Sequence, residues 1–430
     1  MEALEEVKPP VSEDVSTKPS SGYIQGYTVL AKSMMGAGLL GIAAACAKLG
    51  WVLGITFAII IPVISTISMS LLARVALLET PSPTTTTTTT TTFYNISNRI
   101  LGKWPSYFIE TALILKTFGA SIVYLQVAGD MLAMMIVSSI DSSSPPAISQ
   151  LNISRLIQVG LALIFYPFCL LQSISKTFII NTVGIVCLLF ITATSMIYFN
   201  VDGVVFTAGS TPMWPSSFAN VSSKIPVYLF AYCCHQNVFP IVDDIGKKFA
   251  QIRKLNWVFI LSSITGFILY TPVMVLPFIT YGTNIQDNFL RNLPSEDTVT
   301  KIAYVAASLS VSISFPLQVV PLRNAIIGLI GDRFGDNKNR TKLRIWIATI
   351  VVVAALGIAV SGAPLGVVMS ITGLIGGNTV VFLTPSWLYW KSATTTKHDK
   401  NKFLYNVSWA IFVFAIILYP LCLVGIILAN

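Results

Sequence analysis

Eleven apolar stretches, most of them long enough to cross a lipid bilayer, constrain this chain more than any other feature. A transmembrane helix needs about 20 predominantly apolar residues. Only 10% of the residues are charged, against about 25% in soluble domains, so the sequence predicts an all-α polytopic membrane protein. The predicted spans lie near 24–48, 52–73, 105–138, 156–171, 177–199, 225–245, 256–280, 299–320, 344–361, 364–389 and 404–428.

Basic residues are distributed unequally between the two sides of the predicted membrane. With a cytosolic N-terminus and alternating spans, twenty of the 27 lysines and arginines face the cytosol and five face the other side, while Lys32 and Lys116 lie within spans. Cytosolic loops of membrane proteins carry such an excess. Glycosylation sequons at Asn152 and Asn220 fall in loops that this arrangement places outside the cytosol. The net charge of +9 therefore indicates orientation in the membrane and not nucleic-acid binding.

The chain is expected to have four parts. These are a disordered cytosolic tail at 1–22, a first five-helix repeat at 23–199, a second at 225–390, and an eleventh helix with a short non-cytosolic C-terminus at 403–430. A threonine-rich cytosolic linker occupies 79–92, and an amphipathic helix follows near 93–102. All six cysteines lie in apolar segments and fit no disulfide framework or zinc motif. No metal or other cofactor is expected.

The first span contains an unusual run, KSMMGAGLLG, at residues 32–41. Its three glycines, Gly36, Gly38 and Gly41, weaken a helix because glycine loses the most backbone freedom on ordering. A lysine at membrane depth must find a partner or water, so Lys32 marks a functional site. We interpret the run as a broken helix at a transport site, since irregular backbone in a membrane lines a cavity or is buried in protein. A small-residue seam for close helix packing is the alternative.

The sixth span repeats this peculiarity with the run FAYCCHQNVFP at residues 230–240. His235, Gln236 and Asn237 point in three directions around a helix, so they cannot all face lipid. Pro240 removes a backbone hydrogen bond, and a second broken helix is expected. Interrupted helices at corresponding places in two halves indicate the binding site of an inverted-repeat transporter.

Several other intramembrane polar residues have more than one interpretation. His235 is expected in substrate or proton traffic, with a structural role as the alternative; catalysis is the least favoured, and no enzymatic activity is expected. Glu110 and Lys116 are not spaced as a helical pair. The serines of the eighth span commonly bond back to their own helix, and a cation site is the alternative. A flexible tenth span, with gating as its expected role, is indicated by Gly373, Gly376, Gly377, Asn378 and Thr379.

At these runs the sequence resembles the amino acid/auxin permease family, from about residue 23 to 428. The resemblance depends on the runs at 32–41 and 230–240, on Gly50-Trp51, and on PLQVVPLR at 316–323. It implies a leucine-transporter-like fold of 5+5 inverted repeats with broken first and sixth helices plus an eleventh helix. The implied function is secondary transport of amino acids, most of all neutral ones, by alternating access.

The HQN string is most similar to the fungal vacuolar and sodium-coupled neutral amino acid branches of that family. Several animal members carry paired cysteines in an outer loop, which this chain lacks, so a vacuolar, lysosomal or other endomembrane is expected rather than the plasma membrane. Where the sodium-coupled branch has asparagine, this chain has Lys32, as in proton-coupled and vacuolar members. Proton coupling is therefore expected rather than sodium coupling, with Lys32, His235, Ser310 and Ser314 as ion-coupling residues and Lys32 tied to the eighth span.

The substrate carboxylate is expected on amides of the first run, and its ammonium on carbonyls of the second. A side chain at Gly38 is expected to fill the substrate space. A membrane amino acid sensor that uses the same pocket and a sodium-coupled transporter are the alternative functions. The expected substrate-binding residues are Ser33, Met34, Met35, Gly36, Ala37, Gly38, Leu39, Gly41, Tyr232, Cys233, Cys234, His235 and Gln236.

Overall fold

A computed structural model describes eight segments of the chain, and these are all helical, with no strand among them. The segments are 22–78, 92–140, 149–171, 178–201, 211–246, 249–330, 337–396 and 401–429. The expected disordered tail and threonine-rich linker fall on residues 1–21 and 79–91, which lie outside the described residues.

Fourteen α-helices, with short 3-10 and π-helical segments between some of them, make up the described residues. They are α1 Tyr23–Met34, α2 Gly38–Leu78, α3 Phe93–Leu101, α4 Lys103–Val137, α5 Gln150–Cys169, α6 Phe178–Val201, α7 Phe218–Ala231, α8 Val238–Ile245, α9 Ile252–Tyr281, α10 Thr298–Ile330, α11 Asn337–Val360, α12 Leu365–Thr372, α13 Thr384–Thr396 and α14 Lys402–Ala429.

Ten helical segments of the described residues are long and apolar enough to cross a membrane, which confirms the prediction of an all-α, multi-pass membrane protein. The first two predicted spans, 24–48 and 52–73, correspond to α1 and α2 together. The short α3 forms where an amphipathic helix is predicted. The number of eleven crossings stays a prediction.

A break inside α2 reverses the chain at Gly50. This residue has φ 73° and ψ 170°, a conformation that glycine adopts without steric cost. The Trp51 and Val52 N–H groups, released by the break, donate to the carbonyls of Pro212 and Met213, each at 3.1 Å. A Cβ at Gly50 would lie 2.7 Å from the Met213 oxygen. Glycine is therefore required here both for its backbone conformation and for the close approach of the 212–213 segment.

The eighth predicted span is longer than expected, because α10 continues to Ile330 instead of ending near residue 320. Two prolines inside the helix do not end it. Arg323 lies beyond the predicted span 299–320 and was therefore counted among the cytosolic basic residues, but it is buried within α10. Its guanidinium donates to the Cys169 carbonyl at 2.9 Å and to the Leu171 carbonyl at 3.0 Å. These carbonyls lie at the C-terminal end of α5, where helices leave acceptors unpaired, so the charge is buried with partners.

The two sequons were expected in loops, but they lie in the first turns of helices. Asn152 is the third residue of α5, and Asn220 is the third residue of α7. In each helix the N-cap serine accepts the asparagine N–H, Ser149 at 3.4 Å and Ser217 at 3.2 Å. Serine is a preferred N-cap because its oxygen pairs with an otherwise free amide, so each sequon is preceded by a helix start.

The glycine-rich run of the tenth predicted span is π-helical over Gly373–Gly377. A Cβ at Gly376 would lie 2.6 Å from the Lys116 Cα of α4, and one at Gly373 would overlap the Pro226 carbonyl of α7. These glycines therefore allow close helix packing, and the flexibility of the segment stays a prediction.

Polar residues lie inside the bundle, and apolar residues cover much of its outside. α4 packs along α10 at the centre, and buried polar side chains such as Lys116 and Gln318 lie on these two helices. Exposed apolar side chains, for example Leu163 of α5, Ile350 of α11 and Ile427 of α14, face outward. In a bilayer the lipid tails would meet these residues, and the polar interior is where a site is expected.

Candidate functional site

The first interruption separates α1 from α2 at residues 35–37. Met35 leaves the helical conformation with φ −82° and ψ 64°, and the Gly36 N–H then donates to the Met34 carbonyl at 2.9 Å. Within the described residues, the Ala37 N–H has no acceptor and the Met35 carbonyl has no donor. The predicted break of the first span is present, and it leaves the Ala37 N–H and the Met35 carbonyl free beside the start of α2.

The second interruption separates α7 from α8 at residues 232–237 and ends in a 3-10 turn, His235–Asn237. Pro240, which has no N–H, cannot bond the Gln236 carbonyl four residues before it. The Cys233 carbonyl has no donor in the described part of the chain. The predicted break of the sixth span is therefore also present, and it exposes a second backbone acceptor.

A hydrogen bond joins the two interruptions directly. Gln236 Nε2 donates to Ser33 Oγ at 3.2 Å. His235 points elsewhere, with Nε2 3.2 Å from the Ser65 carbonyl of α2. Because a carbonyl only accepts, the hydrogen must lie on Nε2, and Nδ1 is then a buried acceptor without a partner. Asn237 is half-buried. The three polar side chains thus point in different directions, as predicted, and Gln236 faces the first interruption.

A tyrosine of α9 connects the two interruptions a second time. The Tyr270 hydroxyl lies 2.7 Å from the Met34 carbonyl and 3.0 Å from the Ala231 carbonyl. These carbonyls are the C-terminal ends of α1 and α7, and both helix ends carry partial negative charge. A hydroxyl has one hydrogen, so two acceptors share a single donor. Tyr270 therefore orients both half-helices from a third helix.

Gly36 lies directly against α4. A Cβ at this position would overlap the hydroxyl of Tyr124, which is itself buried. The glycine is needed for this approach, and it places a phenol hydroxyl beside the free Ala37 amide segment.

Gly38 lies against the end of α7. A Cβ at Gly38 would lie 2.6 Å from the Ala231 Cα and 2.8 Å from its Cβ. The expectation that a side chain here fills substrate space is wrong, because the backbone of α7 already occupies that space. At Gly38 the packing-seam alternative holds, because the absence of a side chain lets the two half-helices approach each other closely.

Lys32 is fully buried in the last turn of α1 and reaches α10. Its Nζ donates to the Ser310 carbonyl at 3.2 Å and to Ser310 Oγ at 3.0 Å. A Cβ at Gly184 of α6 would overlap the lysine side chain. Ser314 instead bonds back to the Ser310 carbonyl at 2.9 Å, as serines in spans commonly do. The expected tether between the first and eighth spans is present through Ser310, and its role in ion coupling stays a prediction.

The remaining expected substrate-binding residues lie around the same two interruptions. Leu39 and Cys234 are fully buried, and Gly41 faces α12 one turn into α2. The ring of Tyr232 meets that of Tyr270 edge-on, with centroids 5.0 Å apart, and the Tyr232 hydroxyl is buried without a partner. The two runs therefore form one buried unit, and the substrate role of their residues stays a prediction.

The structure adds residues and pairings to which sequence reasoning assigned no role. Lys116 Nζ donates to Gln318 Oε1 of α10 at 3.2 Å. This second buried lysine is therefore tied to α10, as Lys32 is. Glu110 does not pair with Lys116, as expected from their spacing. Tyr270 lies in an apolar segment, where one tyrosine gives no signal, and only its contacts with both interruptions distinguish it. Gln318 belongs to the run at 316–323, to which the sequence analysis assigned no role in the site.

Comparison with known proteins identifies the family. The family model described as transmembrane amino acid transporter protein matches residues 19–428. The chain belongs to this family. The resemblance seen in the sequence is thereby confirmed, and so is the expectation of a transporter rather than an enzyme.

Related transporters cover most of the chain at low identity. Vacuolar amino acid transporter 5 of Saccharomyces cerevisiae is 24% identical over 74% of this chain and 69% of its own length. The protein of the same name in Schizosaccharomyces pombe is 22% identical over 86% and 84%, respectively. Sodium-coupled neutral amino acid transporter 7 of Danio rerio is 23% identical over 73% and 66%. The relatives thus include both vacuolar and sodium-coupled transporters.

Proposed function

We propose that this chain is a proton-coupled secondary active transporter that moves neutral amino acids by alternating access. The observation that supports this most is the pair of interrupted helices, joined by Gln236 and Ser33 and oriented together by Tyr270. Broken helices buried at the centre of a transporter bundle are typical of substrate sites at membrane depth.

The free backbone groups at the interruptions suit a zwitterion. The Ala37 N–H at the start of α2 offers a donor and the positive end of a helix dipole to a carboxylate. The carbonyls of Met35 and Cys233 offer acceptors to an ammonium. Tyr124 adds a hydroxyl beside Gly36. Since most of these contacts come from the backbone, the site would recognise the part common to all amino acids.

The architecture that we propose has eleven crossings in a 5+5 inverted repeat. Gly50 divides α2 into the end of the first crossing and the whole of the second. Helices α1 to α6 would form the first repeat, α7 to α13 the second, and α14 the eleventh crossing. The interruptions after α1 and after α7 then occupy corresponding places, as an inverted repeat requires.

The charge and the contacts of Lys32 lead us to propose the proton as the coupling ion. Its ammonium bonds Ser310, and two unit charges about 4 Å apart repel by about 4 kcal/mol at an effective dielectric of about 20. A sodium ion beside Lys32 would therefore bind nearly three powers of ten more weakly. A buried lysine can release and regain a proton during the cycle, while Ser310, which is itself bonded by Ser314, keeps it in place. His235 offers a second proton acceptor at its free Nδ1.

The membrane is proposed to be an endomembrane, with the N-terminus in the cytosol. The names of the fungal relatives support a vacuolar location. The excess of basic residues on one side supports the orientation, and it would place glycans on Asn152 and Asn220 outside the cytosol.

Uptake into proteoliposomes tests the proposal. Purified protein is reconstituted, and a panel of labelled amino acids is offered under an imposed pH gradient, an imposed sodium gradient, or neither. We expect uptake of neutral amino acids driven by the pH gradient and indifferent to sodium. Strict sodium dependence would favour the sodium-coupled alternative, which the name of the zebrafish relative supports. Specific binding without uptake under any gradient would favour a sensor.

A further inference from the structure

A buried carboxyl group that the proposed mechanism does not use lies near the start of α4. Glu110 is only 3% exposed. It follows Lys103, the first residue of α4, by about 10 Å of helix rise. The start of α4 is the cytosolic end of this span in the proposed orientation. Glu110 is therefore buried close to the cytosol, on the cytosolic side of Lys116.

The two oxygens of this carboxyl have different surroundings. The Tyr94 N–H, in the first turn of α3, donates to the Glu110 carboxyl. Amides in the first turn of a helix have no partner within the helix and lie at the positive end of its dipole. The carboxyl therefore anchors the N-terminus of α3 on α4. Its other oxygen, Oε2, is buried and has no partner in the described residues.

The titratable groups that face Glu110 are phenols. Tyr94 of α3 interacts with its charge, and the ring of Tyr94 contacts that of Tyr107 of α4, with centroids 5.7 Å apart. Among the residues that the structure describes, no lysine, arginine or second carboxyl pairs with Glu110. Burying an isolated carboxylate is costly, and such a group becomes neutral by binding a proton. Glu110 therefore suits a site that holds one proton while it is buried and releases it when water enters.

Helix α3 connects this carboxyl with the second interruption. Phe93, next to Tyr94, is buried and packs on Phe239 of α8, with ring centroids 4.6 Å apart. α8 is the half-helix that follows the second interruption. α3 is thus bonded to α4 through Glu110 and packed on a half-helix of the candidate site.

The strength of the anchor depends on the charge of Glu110. Hydrogen bonds to an ionised carboxylate are about twice as strong as those between neutral groups, and the helix dipole adds to the attraction. Proton binding therefore weakens the bond that holds α3 on α4. The two helices are joined by Gly102 alone, and glycine permits a wide range of backbone angles. α3 can therefore turn relative to α4 when the anchor is weak.

We propose that Glu110 binds the coupled proton on the cytosolic side and that its charge controls, through α3, the position of α8. The inference rests on the proposed function and names a residue of its coupling step. The protonated carboxyl loosens α3 and lets α8 move as the site opens to the cytosol. Water then reaches Glu110 and accepts the proton. The carboxylate binds the Tyr94 amide tightly again, which returns α3 and α8 to the closed arrangement.

Uptake and exchange in proteoliposomes test the proton site. Glu110→Gln keeps the size of the side chain and an oxygen for the Tyr94 N–H but cannot carry the proton. We expect accumulation driven by a pH gradient to fall by about tenfold or more, because a proton relay depends on its ionisable residue. Exchange of labelled for unlabelled amino acid without a gradient should continue but should lose its pH dependence. Glu110→Asp, which still titrates, should keep that dependence.

The matched control for this substitution is Glu296→Gln. It makes the same change at an exposed carboxyl of the loop between α9 and α10. We expect its accumulation and exchange to match those of the wild type, because that carboxyl contacts neither α3 nor α8.

Thiol labelling of Ser97→Cys tests the movement of α3. Ser97 is buried on α3 and bonds to carbonyls of its own helix, so cysteine is a small change. The thiolate is the reactive form, so labelling of an exposed thiol, as in Glu296→Cys, slows as the pH falls. The rate for Ser97→Cys relative to Glu296→Cys, each corrected for the native cysteines, should rise as the pH falls. In Ser97→Cys/Glu110→Gln that ratio should be high and independent of pH.

The outcomes separate the inference from the proposed function. Wild-type accumulation in Glu110→Gln, or a Ser97→Cys ratio that does not change with pH, would overturn the inference while leaving proton-coupled transport intact. Loss of exchange as well as accumulation in a folded Glu110→Gln would give Glu110 a structural role and would also overturn it. If Glu110→Gln does not fold, labelling of the single variant Ser97→Cys still decides. A wild type that takes up no amino acid under a pH gradient would overturn the proposed function itself.

Discussion

The most informative single substitution is Tyr270→Phe, which removes one oxygen and nothing else. The hydroxyl is the shared donor for the carbonyls that end α1 and α7. It has one hydrogen, so at most one full hydrogen bond is lost. The Met34 carbonyl keeps the Gly36 N–H, so the acceptor that can be left unpaired is the Ala231 carbonyl, at a cost of about 1–3 kcal/mol. The loss destabilises the arrangement in which the ends of α1 and α7 face each other across the site. We therefore expect substrate affinity about 5- to 150-fold weaker than in the wild type.

The assay is equilibrium binding of the transported amino acid, with thermal unfolding of the same preparation as a check on folding. Tyr228→Phe is the matched control, because Tyr228 is equally buried but its hydroxyl bonds the sulfur of Met274 at 3.4 Å. A thioether is a weak acceptor, so the control should lose less than twofold. Equal affinities in the two variants would show that Tyr270 only fills space and would refute its orienting role.

Three further predictions concern packing, coupling and orientation. Gly38→Val should lower the unfolding temperature and the yield of folded protein, because overpacking costs about 1–3 kcal/mol or more; Gly357→Val in α11, where a Cβ meets nothing within 4 Å, should not. Lys32→Ala should abolish the dependence of uptake on a pH gradient, and wild-type-like pH dependence in that variant would exclude Lys32 as the coupling residue. Asn152→Gln and Asn220→Gln should each remove a glycosidase-sensitive mass shift, whereas a glycan elsewhere on the predicted cytosolic side would reverse the proposed orientation.

The sequence was sufficient to locate both interruptions, because polar residues, glycines and a proline stand out in long apolar runs. The resemblance also predicted that Lys32 is tied to the eighth span through Ser310 or Ser314, and Ser310 is the partner. A pattern of glycines does not reveal what lies opposite, so Gly38 was assigned to substrate space although the backbone of α7 fills it.

Hydrogen bonds between residues far apart in the sequence could not be predicted, for a physical reason. Ser154 of α5 donates to Asp130 of α4 and accepts from Gln158, so residues of two helices are joined in one chain of hydrogen bonds. No spacing along the chain encodes that arrangement. The eighth predicted span ended near residue 320, whereas α10 continues through Pro321 to Ile330.

The turn at Gly50 has a consequence for how the protein is made. Trp51 and Val52 donate to Pro212 and Met213, which are synthesised about 160 residues later. At about 5–20 residues per second, the ribosome needs roughly 8 to 32 seconds to supply those two carbonyls. During that interval the first helical hairpin must leave its two amides to water or to the insertion machinery. We expect the hairpin to be the last part of the early chain to become resistant to protease, and only after residue 213 has emerged.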